Sequence, residues 1–312
     1  MKIIEFHKPV SKKTAIAIGM FDGVHLGHKA LISQLLGKSD EKNLCPVIYT
    51  FSNHPIKEAK RKLLTTLNEK LYIFEKLDVE NIYIANLEED LMTMSPEEFV
   101  KKELVKTLNC KLVIVGENFR FGHKKEGNVN TLKELGKIFN FEVIIVNKVL
   151  KDGVAVSSSL IHDLILGGEI EEGNSLLGHP YFVQGIVERG KGLGRHLGFP
   201  TANLAYENGN KLLPKNGVYI TIGNYNGILL KGVTNVGFNP TFEDKKNVKI
   251  ESHFLDVEND FYGKFLRLYF IKRLRDEIKY EKVQDLRNQV MADIEETRKF
   301  FESNPIESIA LI

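Results

Sequence analysis

The sequence predicts an α/β unit built on a parallel sheet, followed by a small antiparallel β-barrel that closes with one helix. Three observations carry this. Short apolar runs alternate with helical spacing to about residue 170, the pattern of a parallel sheet with crossover helices. A stretch marked by Gly167, Gly168, Gly173 and Gly178-His179-Pro180 then changes the grammar. From residue 181 strand-like runs follow one another with turns between them, as in a small barrel,. The boundary is expected near residue 180, giving domains 1–180 and 181–312, each long enough for its own core.

In the first domain the apolar runs cover 15–18, 46–51, 82–87, 111–116 and 142–147. Between them Leu67, Leu71, Phe74 and Leu77 keep helical spacing, as do Phe99, Leu104 and Leu108. Ser95-Pro96-Glu97-Glu98 reads as a helix start, with Ser95 as cap, proline in the first turn and acids facing the dipole,. This alternation puts helices on both faces of the sheet and ligands at the carboxyl ends of its strands.

The densest stretch lies at the first such end: Gly19-Met20-Phe21-Asp22-Gly23-Val24-His25-Leu26-Gly27-His28. A strand hands over to a helix there, which exposes unpaired N–H groups and the positive end of a dipole. Gly19, Gly23 and Gly27 permit a sharp turn and close approach to a ligand. His25 and His28 can share one helix face and donate to one anion; alone, the pair would read as readily as a metal half-site or simple polar surface. Thr50-Phe51-Ser52-Asn53-His54-Pro55 follows the second strand, where His-Pro by itself is commonly a turn,. Leu63-Leu64-Thr65-Thr66-Leu67 reads mostly as a capped helix start. Gly116-Glu117-Asn118-Phe119-Arg120-Phe121-Gly122, with His123, Lys124 and Lys125 behind it, offers aromatic faces for a ring and cations for phosphates,. Val156-Ser157-Ser158-Ser159-Leu160-Ile161-His162 opens another helix, where serines can cap it or donate hydroxyls to phosphate,.

In the second domain strands are expected over 181–188, 217–222, 227–233, 248–256 and 265–272, then a helix over 283–301 with Leu286, Val290, Ile294 and Thr297 on one stripe. The segment from Gly190 through Lys191, Gly194, Arg195 and Phe199-Pro200-Thr201-Ala202-Asn203 reads as a glycine-rich loop between barrel strands. Its glycines allow backbone approach to phosphates, and Lys191 and Arg195 bring charge. It is neither a Walker-type loop nor a Rossmann fingerprint.

Together the strand, glycine turn, His-x-Gly-His and helix resemble the nucleotidyltransferase superfamily. The form Phe-Asp-Gly-Val-His before Leu-Gly-His is similar to the bacterial bifunctional riboflavin kinase/FAD synthetase (FMN adenylyltransferase) family. Thr-Phe-x-x-His-Pro, the serine triplet and Pro-Thr-Ala-Asn fit the same family, as do Gly232-Val233-Thr234-Asn235-Val236-Gly237-Phe238-Asn239-Pro240-Thr241-Phe242 and Ile250-Glu251-Ser252-His253. Asp260-Phe261-Tyr262-Gly263-Lys264 and Arg273-Leu274-Arg275 fit it too, without an assigned role. The resemblance covers nearly the whole chain and implies an α/β Rossmann-like nucleotidyltransferase domain before a β-barrel kinase domain. It implies that the barrel phosphorylates riboflavin with ATP to FMN, and that the first domain transfers an adenylyl group from a second ATP to make FAD and pyrophosphate. Glu251 would be the kinase base, and Thr201 and Asn203 would hold Mg2+, hydroxyl and amide oxygens being suitable hard-cation ligands. His25 and His28 would stabilise triphosphate charge. Gly19, Phe21, Asp22, Gly23, His54, Asn118, Phe119, Arg120, Ser157, Ser158, Ser159, His162, Gly190, Lys191, Gly194 and Arg195 would contact the substrates. One position departs: the family carries arginine where this chain has His162. Either His162 faces the phosphates as a weaker donor, or it points to solvent and Arg120 or Lys124 does the work.

Lys and Arg number 43 against 41 Asp and Glu, a formal net charge of +2, which gives no support to a nucleic-acid partner. Cys45 and Cys110 have no metal-ligand spacing and suit a reducing cytosol,. His7, Lys8 and Pro9 come too early for a signal sequence, and no run approaches ~18 apolar residues. A cytoplasmic protein with small-molecule partners and no membrane contact is expected; its oligomeric state is not legible. Three alternatives stay open: a riboflavin kinase with an impaired first domain, an adenylyltransferase whose barrel only holds flavin, and a flavin-sensing regulator without turnover.

Overall fold

The structure is a computed structural model and describes residues 1–4, 7–52, 62–86, 89–190, 194, 197–206, 210–238, 248–257 and 259–312. It divides into two compact units, Met1–Ser158 and Ser159–Ile312.

The first unit is an all-parallel six-stranded sheet. Its strands are β1 (Lys2–Ile4), β2 (Thr14–Ile18), β3 (Cys45–Phe51), β4 (Asn81–Ala85), β5 (Cys110–Gly116) and β6 (Glu142–Val146), in the order β1-β4-β3-β2-β5-β6. Every residue of β2 is buried, as expected of a central parallel strand covered on both faces. Its one hydroxyl, on Thr14, donates to the Leu108 carbonyl at 2.6 Å. The five expected strands are present, and β1 is added at an edge. Three residues that include exposed Lys2 are too few to show a period.

Helices α1 (Leu26–Glu41) and α2 (Leu67–Lys76) follow β2 and β3, and α5 (Val129–Phe139) follows β5. Short helices α3 (Glu89–Thr93) and α4 (Pro96–Phe99) precede a π-helical stretch, Val100–Thr107. Two of the helix starts read from sequence are capping boxes: Thr66 pairs reciprocally with Glu69, and Ser95 with Glu98,. From β2 the chain runs outward on one side through β3 and β4, then returns to the other side as β5. The direction of winding therefore reverses between β2 and β5, where doubly wound sheets bind ligands at the carboxyl ends of their strands.

Helix α6 (Ser158–Gly167) starts at the last residue of the first unit, and α7 (Ile170–Leu177) follows in the second. A closed barrel follows, built from β9 (Tyr181–Glu188), β10 (Ala202–Tyr206), β11 (Gly217–Tyr225), β12 (Ile228–Phe238), β13 (Val248–Phe254) and β14 (Phe265–Arg275), after a small hairpin β7–β8 (Leu150–Lys151, Val154–Ala155) in the first unit. The order is β10-β13-β12-β11-β14-β9, closed by antiparallel pairing of β9 with β10. Helix α8 (Val283–Ser303) ends the unit.

The barrel has six strands, not the five expected. The extra one, β10, carries Ala202 and Asn203 of the segment read as loop; small and polar residues hid its period. The grammar change near 180 falls where β9 begins. Yet α7 packs on β9 and β14, and the Asn174 side chain joins them, donating to the Phe270 carbonyl at 2.8 Å and accepting from the Tyr181 amide at 2.6 Å. The two helices before residue 180 therefore group with the barrel. Tyr181, Phe182, Tyr219, Tyr269 and Phe270 are all at most 2% exposed, and because neighbours along a strand point to opposite sides they fill both faces of its wall,. A hydroxyl ladder crosses it, Thr221 to Thr234 at 2.7 Å and Thr234 to Ser252 at 2.9 Å, so each buried hydroxyl is satisfied.

Candidate functional site

In the first unit the chain leaves β2 and turns through Phe21 (φ 52°), Gly23 (φ 80°) and Val24 (φ 42°) before entering α1. Left-handed non-glycine residues cost energy and persist only where their surroundings fix them. Here the surroundings do so from several sides. The Asp22 carboxylate accepts from the Leu64 and Thr65 amides at 3.2 and 3.0 Å and from the Thr65 hydroxyl at 3.2 Å. The same hydroxyl accepts from the Gly23 amide at 3.0 Å. Ser158 Oγ donates to the Asp22 carbonyl at 2.9 Å. The Phe21 ring is wholly buried, edge-on to Phe74 and 5.1 Å from the His28 ring, and Gly19 lies against it. So Leu63–Thr66 is a helix start that also clamps the turn.

His25 caps α1, its Nδ1 accepting from the His28 backbone N–H at 3.4 Å. That acceptor role leaves the proton of the neutral ring on Nε2. The two imidazoles stack with centroids 3.7 Å apart and planes 17° apart. Burial first, then the charges of His25 and Lys70, hold the His28 pKa well below the ordinary histidine value. His28 is therefore a neutral N–H donor at neutral pH, and its buried Nδ1 has no hydrogen-bond partner among the described residues. No group of three or more His, Cys, Asp or Glu among the described residues could hold a metal ion, so the pair has no third ligand there.

Across the reversal point, the turn after β5 presents exposed Asn118 and Arg120 and half-buried Phe119. They line a cavity of ≈ 370 Å³ with Asn128, which caps α5 through Oδ1 contacts to the Asn130 and Thr131 amides at 2.8 and 3.1 Å. Phe121 belongs to the core and stacks on Phe119, centroids 5.5 Å apart, so one aromatic face of this turn is left for a ligand rather than two. Ser157 is exposed at the end of the first unit; Ser159 is exposed at the start of the second. His162 is buried on α6 beside Ile161 and Ile165, its Nδ1 3.4 Å from Asp163. The solvent-facing alternative at position 162 is thereby corrected: helical spacing carries that ring onto the packed side. His54, Lys191 and Arg195 lie outside the described residues.

In the second unit, Asn203 on β10 stands directly opposite Glu251 on β13, and Glu251 opposite Asn235 on β12. Directly opposed residues share a sheet face. The neighbouring row, Ser252, Thr234 and Tyr219, is buried inside the barrel, so alternation turns Asn203, Glu251 and Asn235 outward. There α8 covers Glu251 and Asn235, held by a bidentate pair from Arg275 to Asp293 at 2.6–3.2 Å. Between helix and barrel lies a cavity of ≈ 240 Å³, lined by Glu251, Asn235, His253 and Arg275 and by apolar Leu286 and Val290. A second cavity of ≈ 540 Å³ is bounded by Glu188, Arg189, Gly190, Asn203, Asp260 and Tyr262. Thr201 lines both.

Gly190 presents bare backbone to the Asn203 amide: a Cβ there would sit 2.3 Å from Nδ2 and 2.8 Å from Oδ1. His253 donates from Nδ1 to the Pro200 carbonyl at 2.9 Å, and the Gly194 carbonyl accepts from the Phe199 amide at 2.9 Å, so the Pro-Thr-Ala-Asn strand is anchored at its start. Arg189 lies over the Tyr262 ring at 4.7 Å. Sequence reasoning missed Arg189, His253 and the Arg275–Asp293 clamp. It also missed Lys70, whose signal was available: it falls in the apolar stripe of α2, three residues after Leu67 and four before Phe74.

A doubly wound unit with a tightly clamped turn and a histidine pair at its reversal point, in one chain with a closed barrel bearing a glycine-faced amide, defines a two-domain nucleotide-dependent transferase. The FAD synthetase family matches residues 7–160, and the riboflavin kinase family residues 177–301. The bifunctional riboflavin kinase/FMN adenylyltransferase of Listeria monocytogenes is 35% identical over 312 residues, covering 96% of this chain and 98% of that protein. That of Bacillus subtilis is 33% identical, covering 94% of each. A Streptococcus pneumoniae crystal structure described as a macrolide-efflux protein aligns with TM-score 0.85 at 29% identity, over 95% of this chain and 98% of that one. The chain belongs to the bifunctional riboflavin kinase/FMN adenylyltransferase family. Among its described residues no helix is long and apolar enough to cross a membrane.

Proposed function

We infer that the second unit phosphorylates riboflavin with ATP to give FMN and ADP, and that the first adenylylates FMN with a second ATP to give FAD and pyrophosphate. The observation that carries the kinase half is the pairing of Asn203 with Glu251 across β10 and β13, with one cavity on each side of Thr201. The larger cavity, polar and bare-backboned at Gly190, takes the nucleotide. The smaller, with apolar Leu286 and Val290, takes the flavin ring. Glu251 accepts the proton of the ribityl 5′-hydroxyl as that oxygen forms its bond to the γ-phosphorus and the bond to ADP breaks. The Asn203 amide beside Gly190 and the Thr201 hydroxyl are neutral oxygen donors, which fit Mg2+ because this ion takes much of its coordination from water and substrate phosphates,. When bound it neutralises phosphate charge.

In the first unit the FMN phosphate oxygen attacks the α-phosphorus of ATP and pyrophosphate leaves. The task is positioning and charge stabilisation, with no covalent enzyme intermediate. The start of α1, the His25 Nε2–H and the neutral His28 ring supply donors that need no rearrangement. The turn 117–121 offers Asn118, Phe119 and Arg120 to the flavin nucleotide. Two free cysteines, one buried with its thiol pushed up to about 12, fit a cytoplasmic setting,. The deciding experiment is chromatography of riboflavin, FMN and FAD after incubation with ATP and magnesium. Successive appearance of FMN and FAD is expected; FMN without FAD, or neither, would overturn one half or both.

A further inference from the structure

We propose that Lys70 is a positioning residue of the adenylyl-transfer site, its buried ammonium fixing the phosphate turn after β2 against the end of β3. Lys70 is 5% exposed. Its Nζ donates to the Met20 carbonyl at 2.8 Å, to Thr50 Oγ1 at 3.2 Å and to the Phe51 carbonyl at 3.4 Å. The Thr50 hydroxyl donates in turn to the Met20 carbonyl at 3.4 Å. Met20 lies inside the turn that carries His25 and His28, and Phe51 ends β3, so one side chain gathers the carboxyl ends of two adjacent strands.

The choice of a cation for this task is the informative point. An ammonium has three donors and no acceptor, and the three oxygens here are all uncharged. Burying a charge among neutral acceptors is costly. A carboxylate partner would relieve it, but Asp22, which interacts with it from the turn, is committed to the Leu64 and Thr65 amides. A neutral donor could join the loops more cheaply, so the retained charge points to the anion the turn receives.

The groups around Lys70 agree. Asp22 faces it from the turn, and His28, with His25 stacked behind, faces it from α1. On β3 the facing groups are the Thr50 hydroxyl and the Phe51 carbonyl, while Glu69 on its own helix turns to the Thr66 amide. Its positive charge adds, after burial and His25, to the causes that hold the His28 pKa low. Burial brings its own pKa down to about 8. It is charged below that pH and loses the proton above it.

This inference rests on the reading that His25 and His28 border the ATP phosphates, and the test separates the two. In the full-length protein, Lys70→Met, Lys70→Arg and His28→Ala are assayed for FAD formation from FMN. FMN formation from riboflavin in the same preparation serves as the control, and the His28 ring is titrated by NMR. Lys70→Met is expected to lower kcat for FAD formation by on the order of 10- to 100-fold, leave FMN formation within about twofold, and raise the His28 pKa. Wild-type FAD formation is expected to fall as pH rises through about 8, while FMN formation does not. Lys70→Arg, whose guanidinium does not titrate there, should lose that fall. If Lys70→Met does not fold, the wild-type pH profile and Lys70→Arg decide. FAD formation unchanged in Lys70→Met, or lost with the His28 titration unmoved, overturns the proposal, as does a wild-type profile flat through that range. Unchanged FAD formation in His28→Ala overturns the reading of the site instead.

Discussion

Replacing Gly190 with alanine tests the kinase site through a single carbon. The new Cβ would lie 2.3 Å from Asn203 Nδ2, 2.7 Å from Cγ and 2.8 Å from Oδ1, closer than non-bonded atoms allow. The backbone at 190 is not left-handed, so alanine is admissible locally and the conflict falls on the amide, which must swing away from its place opposite Glu251. A hydrogen bond to a charged group is worth about 1.5–3 kcal/mol. At about 1.36 kcal/mol per decade this is roughly a 10- to 150-fold loss in kcat/KM for FMN formation. The assay is FMN production by the full-length chain, with FAD formation from supplied FMN and the melting temperature as controls. Because Asn203→Ala removes the clashing atoms, the double variant should be no worse than Asn203→Ala alone. Kinase activity within about twofold of wild type in Gly190→Ala would refute the assignment of Asn203 to the magnesium-nucleotide site. An equal loss of both activities would mean that the substitution damages the fold.

Glu251→Gln should slow FMN formation by ~10²-fold or more and leave FAD formation from FMN intact; a parallel loss of both would remove Glu251 as base. His28→Ala and His25→Ala should each depress FAD formation strongly with riboflavin phosphorylation preserved. His25→Ala also loses a helix cap worth about 1 kcal/mol, so His25→Asn, which can cap but lacks the Nε2–H, isolates the chemistry; full FAD formation in His25→Asn would limit His25 to capping. A fragment 159–312 should retain kinase activity and exceed fragment 181–312 in stability by on the order of 5 kcal/mol. The shorter piece loses buried Ile170, Leu176 and Leu177 and both Asn174 hydrogen bonds. Coincident denaturant midpoints would show that α6 and α7 add nothing to the barrel.

Where local chemistry decides structure, the sequence was readable. The run before Gly19, the helical spacing after His28 and the caps at Thr66 and Ser95 each follow from interactions within a few residues. What distant pairing decides was hidden. β10 is a strand because β9 and β13 flank it, not because Ala202 and Asn203 favour extension. β1 exists because β4 offers an edge, and α7 joins the barrel through Asn174, an asparagine with no periodic signature. The site divides the same way. His25, His28 and Glu251 stand in motifs, whereas Arg189, His253 and the Arg275–Asp293 clamp take their places from barrel closure and the return of α8. Lys70 was visible as a charge in an apolar stripe, but its acceptors lie 50, 20 and 19 residues away.

Thr201 is the only described residue that lines both chambers of the second unit. On the proposed assignment of the nucleotide to one chamber and the flavin to the other, the two reactants would meet at this threonine. Neither would then have to arrive first, and spent ADP could depart while FMN stays in place. The rate law for such an enzyme has no compulsory order: a compound wedged in the flavin chamber should act noncompetitively toward ATP, and one in the nucleotide chamber noncompetitively toward riboflavin.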